Sequence, residues 1–255
     1  MNENLAEKII RFARNEDINV IGFGPAEKMD DEPTGFRPED LLDNTRSLIC
    51  FGLAVPWKIY HTENHQTEMV WRTQNLFYRR LDTLSLRMVS ILENNGEKAV
   101  PVFSCFPMTL NRKKDIAGYF NQIRMGEIAG IGTRSRSGLL FHPTYGVRLM
   151  LGALVTTAYL PSIRVPGIPV KGCPPDCNIC VNACPVKAIS VEKKQTNIMR
   201  CLAYASKVPS LSKLKFAWLR IYKPESASRL MNHLAFDEHT MHTCSRCITL
   251  CPFGR

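Results

Sequence analysis

The sequence predicts a mixed helix-and-strand core of about 160 residues followed by a smaller cysteine-rich part. Short β-branched runs alternate with longer amphipathic stretches as far as Leu160. The charge balance then changes: residues 1–160 carry 19 Lys+Arg against 18 Asp+Glu, whereas residues 161–255 carry 14 against 5. Cysteine follows the same division, with eight of the ten in the second stretch. The boundary is expected near Pro161, where LPSIRVPGIP (160–169) reads as a stiff, extended connection.

Residues 3–15 form an amphipathic helical pattern with Leu5, Ile9, Phe12 and Ala13 on one side. Ile18 to Phe23 is short and β-branched, which predicts a strand that Gly22 and Gly24 end. SLICFGLAV, Ser47 to Val55, predicts a second, more buried strand stopped by Pro56. Residues 68–94 make the longest helical pattern, with Leu76, Leu81, Leu84, Met88, Ile91 and Leu92 marking its buried side and Asn94-Asn95-Gly96 its end. Ala99 to Cys105 predicts a third strand, Gly118 to Ala129 a helix, and Leu139 to Phe141 and Leu149 to Thr157 further strands.

Composition excludes several classes. Apolar residues make up 45%, too many for a disordered chain. The longest strongly apolar run, Leu149 to Leu160, is well short of the roughly 20 residues a spanning helix needs. The acidic N-terminal stretch lacks the apolar region of a secretory signal, so a cytoplasmic protein with no membrane partner is expected. Residues 1–160 hold no GxGxxG, P-loop or Gly-x-Ser-x-Gly motif, and Gly22-x-Gly24 is too short for a dinucleotide fingerprint.

The chemistry lies in the second part. It reads Cys173-x3-Cys177-x2-Cys180-x3-Cys184-Pro185, then Cys201, then Cys244-x2-Cys247-x3-Cys251-Pro252. Ferredoxins with two [4Fe–4S] clusters use C-x2-C-x2-C-x3-C-P, in which the fourth cysteine ligates the other cluster. Closely spaced thiolates on a tight loop wrap one cube; the next cysteine, a helical turn on, points to the second. That crossing assigns Cys173, Cys177, Cys180 and Cys251 to one cube and Cys184, Cys201, Cys244 and Cys247 to the other.

Disulfides would need an oxidising compartment. Structural zinc also uses C-x2-C pairs, but rarely with a doubled Cys-Pro ending. Cys50 and Cys105 sit in apolar strands and read as small core residues. Two oxidised cubes with their thiolates carry about −2 each, which offsets part of the +9 surplus of the second part. The remainder suits a solvated surface or an acidic partner such as a nucleic acid or a donor ferredoxin.

Three stretches carry a family resemblance: Ala183-Cys184-Pro185-Val186-Lys187-Ala188-Ile189, Arg200-Cys201-Leu202-Ala203-Tyr204, and Cys244-Ser245-Arg246-Cys247-Ile248-Thr249-Leu250-Cys251-Pro252. Upstream, Gly126 to Leu140, GEIAGIGTRSRSGLL, resembles an Ala-Gly-Leu-Gly-Trp-x-Gly-Lys-Asn-Thr-Leu-Leu segment, and His142-Pro143-x-x-Gly146 and Leu151-Gly152 extend the match. Together these resemble epoxyqueuosine reductases and the wider cobalamin-dependent reductases that include reductive dehalogenases. The resemblance runs from about residue 100 to the C-terminus.

It implies an α+β fold, a nitroreductase-like cobalamin-binding core over 1–160 followed by a ferredoxin-like two-[4Fe–4S] module over 161–255. It also implies an oxidoreductase in which the clusters pass single electrons to a bound corrinoid. By position, Gly130, Gly132, Arg136, Ser137 and Tyr204 would line the corrin. A small acidic ferredoxin or flavodoxin donor suits the basic second part, and the likeness leaves tRNA open as a partner.

The departures are specific. Thr133 and Ser135 replace the family's Trp and Gly, and the first cysteine gap is one residue longer. The family's Asp-Tyr-His triplet, whose Asp donates a proton, has no match: Trp71-Arg72-Thr73-Gln74 stands there, and the nearest carboxylates, Glu68 and Asp82, do not align. No proton donor is therefore nominated, and the helical-repeat domain that often follows has no counterpart in these 255 residues. These gaps leave open a non-catalytic electron carrier or a reductive activator of another corrinoid protein.

Between Cys201 and Cys244 lies an insert, residues 202–243, with Lys213, Lys215, Trp218, Arg220, Tyr222, Lys223 and Arg229. Packing over the clusters is expected for it, ahead of nucleic-acid contact. His233, His239 and His242 in that insert read as surface residues.

Overall fold

The computed structural model describes residues 4–104, 108–110, 116–118, 120–162, 172–190, 195–206, 210–233 and 243–254. The strand expected over Ala99 to Cys105 ends at Val102, and Cys105 lies outside these residues, as do most of the 160–169 connection, His239 and His242.

Helix α1 (Leu5–Asn15) begins at a capping box, Asn4 accepting from the Ala6 amide while the Glu7 carboxylate accepts from the Asn4 amide. Strands β1 (Val20–Pro25), β2 (Ser47–Ala54), β3 (Ala99–Val102) and β8 (Leu149–Thr156) form one antiparallel sheet in the order β1-β2-β8-β3. A short helix α2 (Pro38–Leu41) lies between β1 and β2. Every residue of β2 except its last is buried. Alternation divides them between two cores: Ile49, Phe51 and Leu53 face α1 and the long helix α3 (Gln66–Glu93), whereas Leu48 and Cys50 face the opposite layer. Burial on both faces explains why SLICFGLA reads as a continuous apolar run rather than an alternating one.

The buried side of α3 is Val70, Leu81, Leu84, Met88 and Leu92, and Glu93 hands over to Asn94 and Gly96 as expected. Leu76 was expected on that side but is half exposed. At 100° per residue it falls about 140° from the centre of the packed stripe. The helix expected over Gly118 to Ala129 is shorter than its pattern. Ile116–Gly118 is strand β5, paired with β4 (Met108–Leu110), and the helix α4 (Gln122–Ile128) starts only after Asn121 caps the Arg124 amide.

Helix α4 packs on the sheet face opposite α1 and α3. It is followed by a hairpin of β6 (Thr133–Arg134) and β7 (Leu140–Phe141). The architecture is therefore three layers, with the loop between β6 and β7 on the α4 side.

In the second part, α5 (Ile179–Ala183) packs beside α9 (Arg246–Thr249), each ending just before a Cys-Pro. Between them come β9 (Ile189–Ser190) paired with β10 (Gln195–Thr196), α6 (Ile198–Ala205), and the helices α7 (Ser210–Tyr222) and α8 (Pro224–His233). The insert is thus a helical hairpin. Helix α7 packs on α8, and α8 contacts β4 of the first part. Leu211, Leu214, Trp218, Ile221 and Tyr222 of α7 are exposed. The hairpin is closed at its neck, where the Thr243 amide and hydroxyl both donate to the Ala205 carbonyl, at 2.8 and 2.9 Å.

The end of the chain returns to the core. Arg148 Nε donates to the Gly254 carbonyl at 2.7 Å and its other guanidinium nitrogen to the Val55 carbonyl. Phe253 meets Phe141 edge-to-face at 5.3 Å. His61 reaches the Thr249 carbonyl at 3.0 Å, tying α9 to the turn Trp57–His61, on which its ring stacks against Trp57.

Candidate metal centre

The fold gathers cysteines that lie up to 78 residues apart in sequence. Burial comes first in raising the Cys180 thiol, and the neighbours that raise it further are Cys173, Cys177 and Cys251. Cys251 is raised by burial and by Cys173 and Cys177; Cys173 is raised by burial and by Cys177. A second group interacts in the same way. Burial pushes Cys247 up to about 12, with Cys201, Cys244 and Cys180 adding to it, and pushes Cys201 up to about 11, with Cys244 and Cys184 adding to it. The thiols thus interact in two sets of four, and Cys180 with Cys247 bridges the sets. Cys173, despite its longer gap, sits with the first set.

This donor set fits iron–sulfur clusters. One zinc ion would hold its four sulfurs about 3.8 Å apart, from Zn–S bonds of about 2.3 Å. Among the described residues no three His, Cys, Asp or Glu side chains stand close enough to share a single ion. Eight thiols that interact in two sets of four match two polynuclear groups. Raised thiols also mean that the sites favour neutral sulfur until metal arrives; iron then supplies the charge that removes the protons.

Each set receives amide donors. Cys184 accepts from the Ala188 amide at 3.2 Å, and Cys247 accepts from its own. In the first set, Cys173 accepts from the Arg136 amide, and Cys251 from the amides of Phe253 and Val147. Arg136 and Val147 belong to the core, so the first set is lined by both parts of the chain.

The five residues expected around a corrin have other duties here. Gly130, with φ +72°, follows α4 and returns its amide to the Glu127 carbonyl. A side chain on Gly132 would come within 2.6 Å of Leu140, so that space is filled by the protein itself. Ser137 shares a 2.9 Å hydroxyl contact with Ser135, and its carbonyl accepts from the Thr196 hydroxyl. Arg136 lies beside Cys173, whose thiolate its charge favours. Tyr204 is half exposed. Asp82, raised by burial, accepts from the Ser104 amide at 2.9 Å, and Glu68 is exposed.

Sequence reasoning missed Val147 and the Arg148 clasp. The only signal was their place just after the His142-x-x-x-Gly146 turn that presses on the chain end. Cys50 is buried in the core, as expected, and donates weakly to the Gln122 carbonyl.

No family model matches the chain. It is 28% identical over 277 residues to the epoxyqueuosine reductase of Listeria monocytogenes and 21% identical over 282 residues to that of Bacillus subtilis, each time across 98% of its own length. It spans 65% and 64% of those two relatives. The structure of epoxyqueuosine reductase from Streptococcus thermophilus superposes with a TM-score of 0.60 at 18% identity, covering 97% of this chain and 65% of that one. A catabolic reductive dehalogenase superposes with a TM-score of 0.54 at 14% identity, covering 89% of this chain and 35% of that one. At such identities the superpositions show a shared fold.

Proposed function

We propose that this chain, similar to epoxyqueuosine reductases along nearly its whole length, is an iron–sulfur reductase that holds two [4Fe–4S] clusters. Cys173, Cys177, Cys180 and Cys251 would hold one cluster and Cys184, Cys201, Cys244 and Cys247 the other. The observation that carries this reading is the division of the eight thiols into two interacting sets that cross between the two ends of the second part.

The protein's own contribution is placement and charge. Partly buried cysteines would shield the clusters from water, and the Lys+Arg surplus of residues 161–255 offsets their negative charge. The electrostatic interaction of Cys180 with Cys247 supports two neighbouring sites between which an electron can pass. One of the structural neighbours is a reductive dehalogenase described as B12-dependent, which supports a corrinoid as the partner cofactor. When bound, a corrinoid supplies the low-valent metal for the bond-breaking chemistry. Another neighbour is an epoxyqueuosine reductase with a modified tRNA-Tyr stem loop, which supports tRNA as the substrate class. A small acidic ferredoxin or flavodoxin suits the basic second part as electron donor.

Anaerobic purification with assay of iron, sulfide and cobalt tests the reading. About eight irons and eight sulfides per chain, with absorbance near 400 nm that dithionite bleaches, are expected; zinc in place of iron ends it. A second reading, a carrier or reductive activator without its own turnover, is favoured by the unmatched Asp-Tyr-His triplet and by Asp82 being engaged at Ser104. Stable cobalamin binding by the isolated chain would count against that second reading.

A further inference from the structure

The two thiol sets differ in where their hydrogen-bond donors come from. The first set takes an amide from Arg136 at Cys173 and one from Val147 at Cys251, and the Arg136 guanidinium lies beside Cys173. Arg136 Nε is buried and has no hydrogen-bond partner. Its backbone is held rigidly. The Ser135 amide donates to Leu139 at 2.8 Å, Gly138 to Ser135 at 3.0 Å, and the Ser135 and Ser137 hydroxyls meet. Thr196 on β10 fixes the same turn from the second part. Val147 is fixed as firmly, between the His142–Gly146 bridge and the Arg148 clasp on Gly254.

Among the described residues, the donors found at the second set are local: Ala188 at Cys184 and the Cys247 amide. Among the described residues, neither a core residue nor an arginine is among the groups that shift the Cys201 or Cys247 thiol.

We propose that the core loop makes the two clusters unequal, with Arg136 as the positioning residue that renders the Cys173–Cys251 cluster the easier one to reduce. Reduction adds one electron to an already anionic, partly buried group. Hydrogen bonds to its sulfurs and a nearby cation stabilise the added charge and raise the potential, whereas burial without such donors lowers it. An electron entering at the second cluster therefore runs downhill to the first, the one the core touches. This deepens the two-cluster reading and rests on it. The step is a one-electron exchange: the second cluster is oxidised as the first is reduced, and no proton or bond changes hands.

An EPR-monitored redox titration of the anaerobically isolated chain tests this. Wild type should show two separate one-electron waves, and Cys173→Ser, which alters one ligand, identifies the wave of the first cluster. Arg136→Gln should move that higher wave alone to lower potential by about tenfold in the reduced-to-oxidised ratio at fixed potential, or 59 mV for one electron. Arg136→Lys should recover much of it, because the charge returns. Lys215→Gln, on exposed α7, should move neither wave. If Arg136→Gln sheds iron, Arg136→Lys carries the measurement and must show a smaller shift of the same wave. Two coincident wild-type waves, or an Arg136 effect on both waves or on the wave not marked by Cys173→Ser, would overturn the inference. An iron content far below eight in wild type would instead defeat the two-cluster reading itself.

Discussion

Replacing Gly254 by alanine puts the junction between chain end and core under a defined load. Gly254 has φ +81°, and a Cβ there would stand 2.3 Å from Tyr145 C, 2.4 Å from Tyr145 O and 2.6 Å from Gly146 N. All three atoms are backbone, so no rotamer relieves the clash. If the tail stays in place, left-handed strain costs about 1–2 kcal/mol and overpacking about 1–3 kcal/mol more. If it lifts away, the bond from Arg148 to the Gly254 carbonyl is lost, about 1.5–3 kcal/mol. The Phe253–Phe141 edge contact adds about 0.5–1.5 kcal/mol. Both routes converge on about 2–4 kcal/mol. Hydrogen exchange at Gly146, His142 and Cys251, whose amides are hydrogen-bonded within this junction, reads that cost as a roughly 30- to 1,000-fold loss of protection. Gly35→Ala is the control: it too has a positive φ, +90°, but meets nothing within 4 Å, so only strain of about 1 kcal/mol applies. Unchanged protection in Gly254→Ala would refute the close approach of the tail to the Tyr145–Gly146 turn.

On α3, Leu81→Ala should lower stability by about 2–5 kcal/mol in urea melts, whereas exposed Leu76→Ala should cost under about 0.5 kcal/mol; equal losses would contradict the assigned face. His142 is buried and its pKa is lowered by burial; its Nδ1 accepts from the Thr144 amide, so protonation would break that bond. Because the folded value lies below the unfolded one, the contribution of His142 is complete above about pH 6.5 and is lost as pH falls below that toward the folded value. Melting wild type and His142→Asn from pH 7.5 to 5 should therefore show a flatter decline in the variant, and parallel declines would exclude the effect. In metal-free protein, Cys50, buried and pushed up to about 12, should resist maleimide at pH 8 until urea unfolds the chain; mass spectrometry finding it labelled under native conditions would place it elsewhere than the core.

Much of this fold was readable because one signal dominated locally. Ser47 to Val55 could only be a buried strand, and the cysteine spacing supplied the two expected sets of four from a pattern that no other residue type obscures. Errors arose where signals competed. Leu76 matched a helical period counted loosely, but the packed stripe of α3 runs along Leu81, Leu84 and Met88. Gly118 fell inside an apolar pattern, yet the Asn121 cap and the pairing of β5 with β4 set the helix start later. The glycine-rich loop was the hardest segment. Its glycines suggested close approach by a flat ligand, and Gly132 has a packing reason of its own in Leu140. A sequence shows that room is needed; it does not show what occupies the room. The Arg136 and Val147 donors act through their backbone amides, which carry no residue-type signature at all.

The Thr243–Ala205 neck changes how the helical hairpin should be regarded. Its two roots are stitched together, and Lys213 of α7 also reaches back to the Ala203 carbonyl at 3.4 Å, two residues from Cys201. Lengthening the excursion costs little extra, because closure entropy grows only logarithmically with the number of residues enclosed. Its far end could therefore be lengthened at small entropic cost, so long as the Lys213 bond and the contact of α8 with β4 are kept.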